Sequence, residues 1–246
     1  MTNLPTNSST DSTPPSVRQL KQQRLQNERQ QLSRLHKRRL ISYLPYPKQA
    51  EFHGAGAEHR ERLFMAGNQC GKTLAGSMEW AMHLTGIYAP WWTGRRFEGP
   101  VRLWAAGETR MSTRDTVQKL LIGPPEQEEE WGTGAIPAHL LRKVRRSAGL
   151  ANAIDSLTVK HVSGFTSTLL FKSYEQGRAA WQGETLHGVW FDEEPPMDIY
   201  MEGLTRTNAT GGMVMITFTP LKGMSDVVRL FLEDEDVKAL EQGRRP

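Results

Sequence analysis

The run RLFMAGNQCGKTLAGSMEWAMHLTG, residues 62–86, dictates more about the fold than any other part of the sequence. Its first residues are apolar and read as a short buried strand. From Lys72 onward, Leu74, Met78, Ala81 and Met82 fall on one side of a helix that Gly86 ends. Between strand and helix lies a loop with two glycines. Such a strand–loop–helix turns successive backbone N–H groups toward one point at a helix N-terminus, and that point attracts anions. The usual spacing is glycine, four residues, then Gly-Lys-Ser/Thr. Counting back from Gly71, Ala66 occupies the first position and the glycine comes one residue late, at Gly67. The mechanism does not need glycine there. It needs a small residue where the backbone meets phosphate, which is Gly71. It needs a cation for the β- and γ-phosphates, Lys72, and a hydroxyl for Mg²⁺, Thr73. Gly67, Asn68, Gln69 and Cys70 complete the expected cradle. The plainer alternative is an ordinary strand–turn–helix with an exposed lysine.

A second segment tests that expectation independently. In HGVWFDEEPP, Val189, Trp190 and Phe191 form the apolar end of a strand, and Asp192 and Glu193 follow directly. Pro195 and Pro196 prevent the strand from continuing as a paired element. The acids therefore fall at its carboxyl edge, where open α/β sheets bind ligands. Asp192 is the expected Mg²⁺ holder and Glu193 the expected general base for an attacking water. Side-chain alternation puts Asp192 and Glu194 on one face, so Glu194 is the alternative base.

Two weaker segments complete the set. ITFTPLKG, residues 216–223, carries Thr217 and Thr219 at the end of an apolar strand, where a hydroxyl can sense the γ-phosphate. YPKQAEF offers Gln49, whose amide can donate to and accept from the edge of adenine. Together these residues make ATP and Mg²⁺ the expected ligands. The rest of the body adds strands at 101–109, LTVKHV, STLLFKSY and GGMVMITFTP, and a helix over 112–123 capped by Ser112. LTVKHV and STLLFKSY read as a hairpin around Gly164. Strands alternating with helices predict an α/β fold with a mostly parallel sheet covered on both faces.

Charge is unevenly spread. The chain's net charge is +4, but residues 17–40 carry eight Lys and Arg against Glu28, so the remainder is near −3 (4 − 7). This stretch is expected to be a long basic helix with a thin apolar stripe, which points to an anionic or acidic partner. Residues 1–16, rich in Ser, Thr, Asn and Pro, are expected to be disordered. The body is expected over 41–232 and an acidic-to-basic tail over 233–246. No segment has the roughly 20 apolar residues of a membrane span. Cys70 is the single cysteine, which excludes an internal disulfide.

YPKQAEFHGAG, RERLFMAGNQCGKT, HGVWFDEEPP and ITFTPLKG, in that order, resemble the ATPase domain of tailed-phage terminase large subunits. The resemblance covers roughly residues 41–232. It implies a RecA-like P-loop NTPase fold with an added catalytic glutamate beside the Walker B aspartate. It also implies that Lys72 and Thr73 bind phosphates and Mg²⁺, and that Asp192 holds the metal. Glu193 would activate water, Thr217 to Pro220 would be the coupling motif, and Gln49 would read adenine. The implied partners are double-stranded DNA, a small terminase subunit and the portal of a procapsid. The implied assembly is a ring of copies in the host cytoplasm.

Two departures from the family pattern matter. Members carry a second, nuclease domain, whereas this sequence ends at Pro246, as expected of a fragment or a split product. Many members also place a charge-stabilising arginine inside the phosphate loop, and Gly67 to Thr73 contains none. A substitute is expected from elsewhere, from a neighbouring subunit, with Arg206, Arg178 and the RKVRR cluster, residues 142–146, as candidates among which the sequence does not choose. A helicase-like or other nucleic-acid-stimulated NTPase, or a non-catalytic binding remnant, are the competing functions.

Overall fold

The computed structural model describes residues 17–220 and 225–233. The expectations for residues 1–16, 221–224 and 234–246 lie outside the described residues. The chain divides into two compact units, residues 1–35 and 36–246. In the first, helix α1 (Val17–Ser42) begins with Val17, Leu20 and Leu25 exposed. The last turn of α1 belongs to the second unit. There Leu40 is buried, and the Arg39 guanidinium donates to the Thr133 carbonyl at 2.9 Å. Tyr43 is also core, so the apolar packing of the body reaches back into the end of α1.

The body is built on seven strands: β1 (Glu61–Met65), β2 (Arg102–Gly107), β3 (Leu141–Arg146), β4 (Ile154–Lys160), β5 (Thr166–Ser173), β6 (Gly188–Asp192) and β7 (Met213–Phe218). Their order across the sheet is β1-β7-β6-β2-β5-β4-β3. The first five in that order pair in parallel, and β4 and β3 are added antiparallel. This is the mixed, mostly parallel α/β sheet that the alternating pattern predicts. β4 and β5 form the expected hairpin.

Three differences have physical causes. β3 reads as a charged run because it is the sheet's edge strand, with only Leu141 and Val144 turned partly inward. An edge strand rich in Arg and Lys also resists pairing with other chains. Helix α2 (Pro47–Ala55) opens with proline at its first position, where the missing N–H costs nothing. The helical stretch expected over 112–123 starts earlier, and after α3 (Lys72–Thr85) it opens with α4 (Arg110–Ser112). It is capped by Thr109 rather than Ser112: Thr109 Oγ1 accepts from Ser112 N and Ser112 Oγ from Thr109 N, each at 3.0 Å. It continues as a π-helical stretch (Thr113–Gln118) and ends in α5 (Lys119–Ile122).

Side-chain alternation on β6 sorts the core into two layers. Trp190 belongs to the layer beneath α3, with Met78, Ala105 and Met215. Val189 and Phe191 belong to the opposite layer, with Ile199 and Tyr200 of α6 (Met197–Thr207) and Val227 of α7 (Asp226–Glu233). Both α3 and α6 meet the sheet through a glycine. A Cβ on Gly76 would lie 2.5 Å from the Trp190 ring, and one on Gly203 would lie 2.7 Å from Phe191. Only hydrogen at those two positions lets α3 and α6 approach the strand this closely.

Under α3 lies a buried charge cluster. Glu79 accepts from Arg62 at 2.5 and 3.3 Å, lies 2.7 Å from His53 Nδ1 and 3.4 Å from His83 Nε2. Burial alone would raise the Glu79 pKa, but Arg62 and the two histidines hold it well below the usual carboxylate range. Removing one partner of such a buried pair costs about 3–5 kcal/mol, because the other charge is left uncompensated.

Gly76→Ala should destabilise the chain by about 1–3 kcal/mol, the range for overpacking a filled core. Urea unfolding monitored by tryptophan fluorescence measures it. An unchanged midpoint would mean that α3 does not rest on Trp190 through this contact.

Candidate active site

β1, β7 and β6 are adjacent and parallel, so their carboxyl ends lie along one edge of the sheet. The loop after β1 and the acids after β6 therefore open on the same side. Along that edge is a cleft of about 300 Å³. Its walls include Asn68, Gln69, Gly71, Lys72 and Thr73 from the loop, Glu193, and Thr219 beyond β7. Leu120 of α5 closes one side, an apolar wall that no sequence motif announces.

The loop's unusual backbone sits at Gln69, with φ of 60°, and at Gly71, with φ of 72°. Gly71 is required twice over: its φ is left-handed, and a Cβ there would meet the Gln49 amide nitrogen at 2.8 Å. Gly67 has neither constraint, since a Cβ there would touch only Cys70 Sγ, at 3.8 Å. The late glycine is therefore not what shapes the loop. Lys72 Nζ donates to the Gly67 carbonyl at 2.7 Å, so its ammonium spans the mouth of the loop. Cys70 is exposed, with its Sγ 3.6 Å from the Asn68 carbonyl.

Asp192 is buried and faces the loop side of the sheet, like Trp190 two residues before it. The Trp190 indole N–H donates to Thr217 Oγ1 at 2.8 Å, and that hydroxyl donates to Asp192 Oδ1 at 2.8 Å. The Thr73 hydroxyl is a second hydrogen-bond partner. Burial pushes the Asp192 pKa up to about 7, against the lowering effect of the two hydroxyls. A carboxylate with two hydroxyls beside it offers the oxygen donors that suit a hard cation. Thr73 and Asp192 thus fit Mg²⁺ by the chemistry of their donors.

Alternation alone would turn Glu193 away from the loop and Glu194 toward it. The backbone reverses this. Glu193 has φ of 65°, a left-handed conformation costing on the order of 1–2 kcal/mol for a non-glycine residue. The turn brings the Glu193 carboxylate into the cleft, where Oε2 accepts from Thr219 N at 3.3 Å. Glu194 instead lines a neighbouring cavity with Glu108, Tyr174 and Asp226. The expected shared direction of Asp192 and Glu194 fails because the strand ends at Asp192.

The remaining expected residues have partners within the chain or lie away from the cleft. Gln49 is buried: its Nε2 donates to the Gly71 carbonyl at 2.9 Å, and its Oε1 accepts from Tyr46 N at 2.9 Å and Tyr43 Oη at 3.2 Å. Tyr43 Oη also lies 3.3 Å from His53 Nε2, which ties the loop to the Glu79 cluster. Arg206 pairs with Glu202 at 2.9 Å, and Arg178 pairs with the same carboxylate at 3.1 Å. Residues 142–146 lie on β3, at the sheet edge opposite β1. Among the described residues no arginine lines the cleft.

The model of the family described as terminase large subunit, T4likevirus-type, N-terminal, matches residues 63–243. The sequence is 47% identical over 212 residues to the large terminase subunit of Salmonella phage P22, an alignment covering 79% of this chain and 42% of that protein. It is 34% identical over 132 residues to the large terminase subunit of Enterobacteria phage LP7, covering 52% of this chain and 27% of that one. The large terminase of a thermophilic bacteriophage shares the fold, with a TM-score of 0.51 at 17% identity over 82% of this chain and 44% of that one. The chain spans less than half the length of these relatives.

The raised pKa of Asp192 has a consequence for stability. An unfolded aspartate titrates near 3.9, and Asp192 in the folded chain at about 7. Between those values only the folded chain holds the proton, so this group's contribution falls as pH rises through the window and is flat above it. In chelator and without nucleotide, the melting temperature should fall more steeply from about pH 5 to 7 in the parent than in Asp192→Asn. Parallel pH profiles would show that Asp192 titrates normally.

Proposed function

The chain belongs to the phage terminase large-subunit family, and from that premise we propose that its α/β body is a RecA-like P-loop ATPase. In this reading it couples Mg-ATP hydrolysis to translocation of double-stranded DNA into a procapsid. The observation that carries the reading is the cleft that Lys72, Thr73 and Glu193 share, with Asp192 buried behind Thr73.

The backbone N–H groups at the start of α3 and the Lys72 ammonium hold the β- and γ-phosphates. The ammonium leaves the Gly67 carbonyl to do so. Thr73 and Asp192 hold Mg²⁺, which when bound supplies positive charge against the phosphates. Glu193 orients a water toward the γ-phosphorus and accepts its proton as the bond to the β–γ bridging oxygen breaks. ADP and phosphate are the products. The Thr219 N–H steadies the Glu193 carboxylate, so the segment after β7 feels whether Glu193 is engaged. That contact is the proposed route from hydrolysis to movement. Gln49 braces Gly71 with one amide hydrogen and keeps the other for an acceptor on adenine.

The charge-stabilising arginine comes from a neighbouring copy in a ring, since among the described residues no arginine lines the cleft. Such a residue supplies about 10³–10⁵ in rate, so the isolated chain is a slow ATPase. The basic stretch 17–40 contacts DNA phosphates or the small terminase subunit, and the portal of the procapsid is the docking partner. The host cytoplasm is where this work takes place.

Lys72→Ala should abolish Mg-ATP turnover, read as phosphate release. Glu193→Gln should lower it by roughly 10²–10⁴, the usual share of a general base, and leave equilibrium ATP binding intact. Parental turnover in Lys72→Ala would refute the assignment.

A further inference from the structure

Glu193 is held from three sides. Its N–H donates to the Thr217 carbonyl at 2.8 Å, and its carboxylate accepts from Thr219 N. The third contact comes from across the sheet. Tyr174 follows the last residue of β5 and opens a short 3₁₀ turn. Its hydroxyl lies 2.9 Å from the Asp192 carbonyl and 2.7 Å from the Glu193 carbonyl. Successive carbonyls of an extended strand point to opposite sides. One donor can reach both only if the chain turns between them, and the left-handed φ of Glu193 is that turn. Tyr174 is buried, and its ring is fixed against Phe191 and Trp181, with centroids 6.1 and 6.3 Å away. The hydroxyl is therefore aimed by packing at the kink. A left-handed non-glycine residue persists only where its surroundings over-determine it.

We propose that Tyr174 is a positioning residue for hydrolysis: its hydroxyl clamps the Asp192 and Glu193 carbonyls and so holds the kink that turns the Glu193 carboxylate into the nucleotide cleft. Without the clamp, the segment relaxes toward the extended conformation. Glu193 then swings toward the opposite face of the sheet, while the phosphate loop and Asp192 stay where they are. This rests on the ATPase reading above, in which Glu193 is the base. Nothing in the sequence motifs points to Tyr174, because β2 separates β5 from β6 in the sheet.

The test is Tyr174→Phe in the full chain, which keeps the ring and removes the hydroxyl. Val159→Ala on β4 serves as the control for general loosening, because it opens a gap in the core without touching Tyr174, its ring contacts or either carbonyl. Three readouts are taken: kcat and KM for Mg-ATP, equilibrium binding of ADP, and amide hydrogen exchange of Glu193 and Glu194 without nucleotide. In Tyr174→Phe, kcat should fall at least about tenfold with KM and ADP affinity within about twofold, and exchange at Glu193 and Glu194 should quicken about tenfold. Val159→Ala should leave kcat within about twofold. Parental kcat and parental exchange in Tyr174→Phe would overturn the proposal. So would equal losses in both variants accompanied by weaker ADP binding, which would mean general loosening of the core. Quickened exchange in Tyr174→Phe, in a parent without Lys72-dependent turnover, would keep the clamp and sink the ATPase reading instead.

Discussion

The Thr217 hydroxyl, donating to the buried Asp192 carboxylate at 2.8 Å, is the contact on which the rest of the edge depends. It joins β6 to β7 at their carboxyl ends and fixes where the acid sits. The Trp190 indole sets the direction of that hydroxyl by occupying its acceptor side at 2.8 Å. Trp190 in turn lies under Gly76, so the position of α3 determines the position of the tryptophan. Since α3 begins at Lys72, the same helix presents the cationic loop to the acid that its own packing orients. Placement of the two halves of the site is one event, and it follows from a parallel pairing of neighbouring strands.

The loop has a second support, beneath it. Gln49 braces the Gly71 carbonyl and passes through Tyr43 to His53 and Glu79. A buried polar cluster of mutually paired groups is rigid because leaving any member unpaired is costly. Here that rigidity is delivered to the one glycine whose left-handed backbone opens α3. On the other side of the cleft, Glu193 carries strain that its neighbours hold in place. The site thus combines a braced glycine loop with a carboxylate kept away from its relaxed direction.

The loop and the acidic strand were legible because their information is local. Gly71, Lys72 and Thr73 are adjacent in sequence, and Val189 to Asp192 carry their own apolar pattern into a proline stop. The sheet's parallel part was legible for the same reason, from apolar runs alternating with helical ones. What escaped depends on distant partners. β3 is a strand because β4 lies beside it, although its own residues are mostly charged. Gln49 braces Gly71 because α2 folds back on the loop, a contact that no motif encodes. That Glu193 rather than Glu194 enters the cleft turns on one dihedral angle, which strict alternation does not encode. The pairing of Arg178 and Arg206 with Glu202 was not legible either, because Glu202 lies outside every motif.

The proposed Mg-ATP site is formed by the loop from Gly67 to Thr73 and the end of β6 together. The most direct test is a crystal structure of the chain grown with Mg²⁺ and a non-hydrolysable ATP analogue, read for the position of Lys72. Nζ should have moved from the Gly67 carbonyl onto the phosphates, with the cation held by Thr73 and Asp192. An analogue bound elsewhere, with Lys72 still on Gly67, would contradict it.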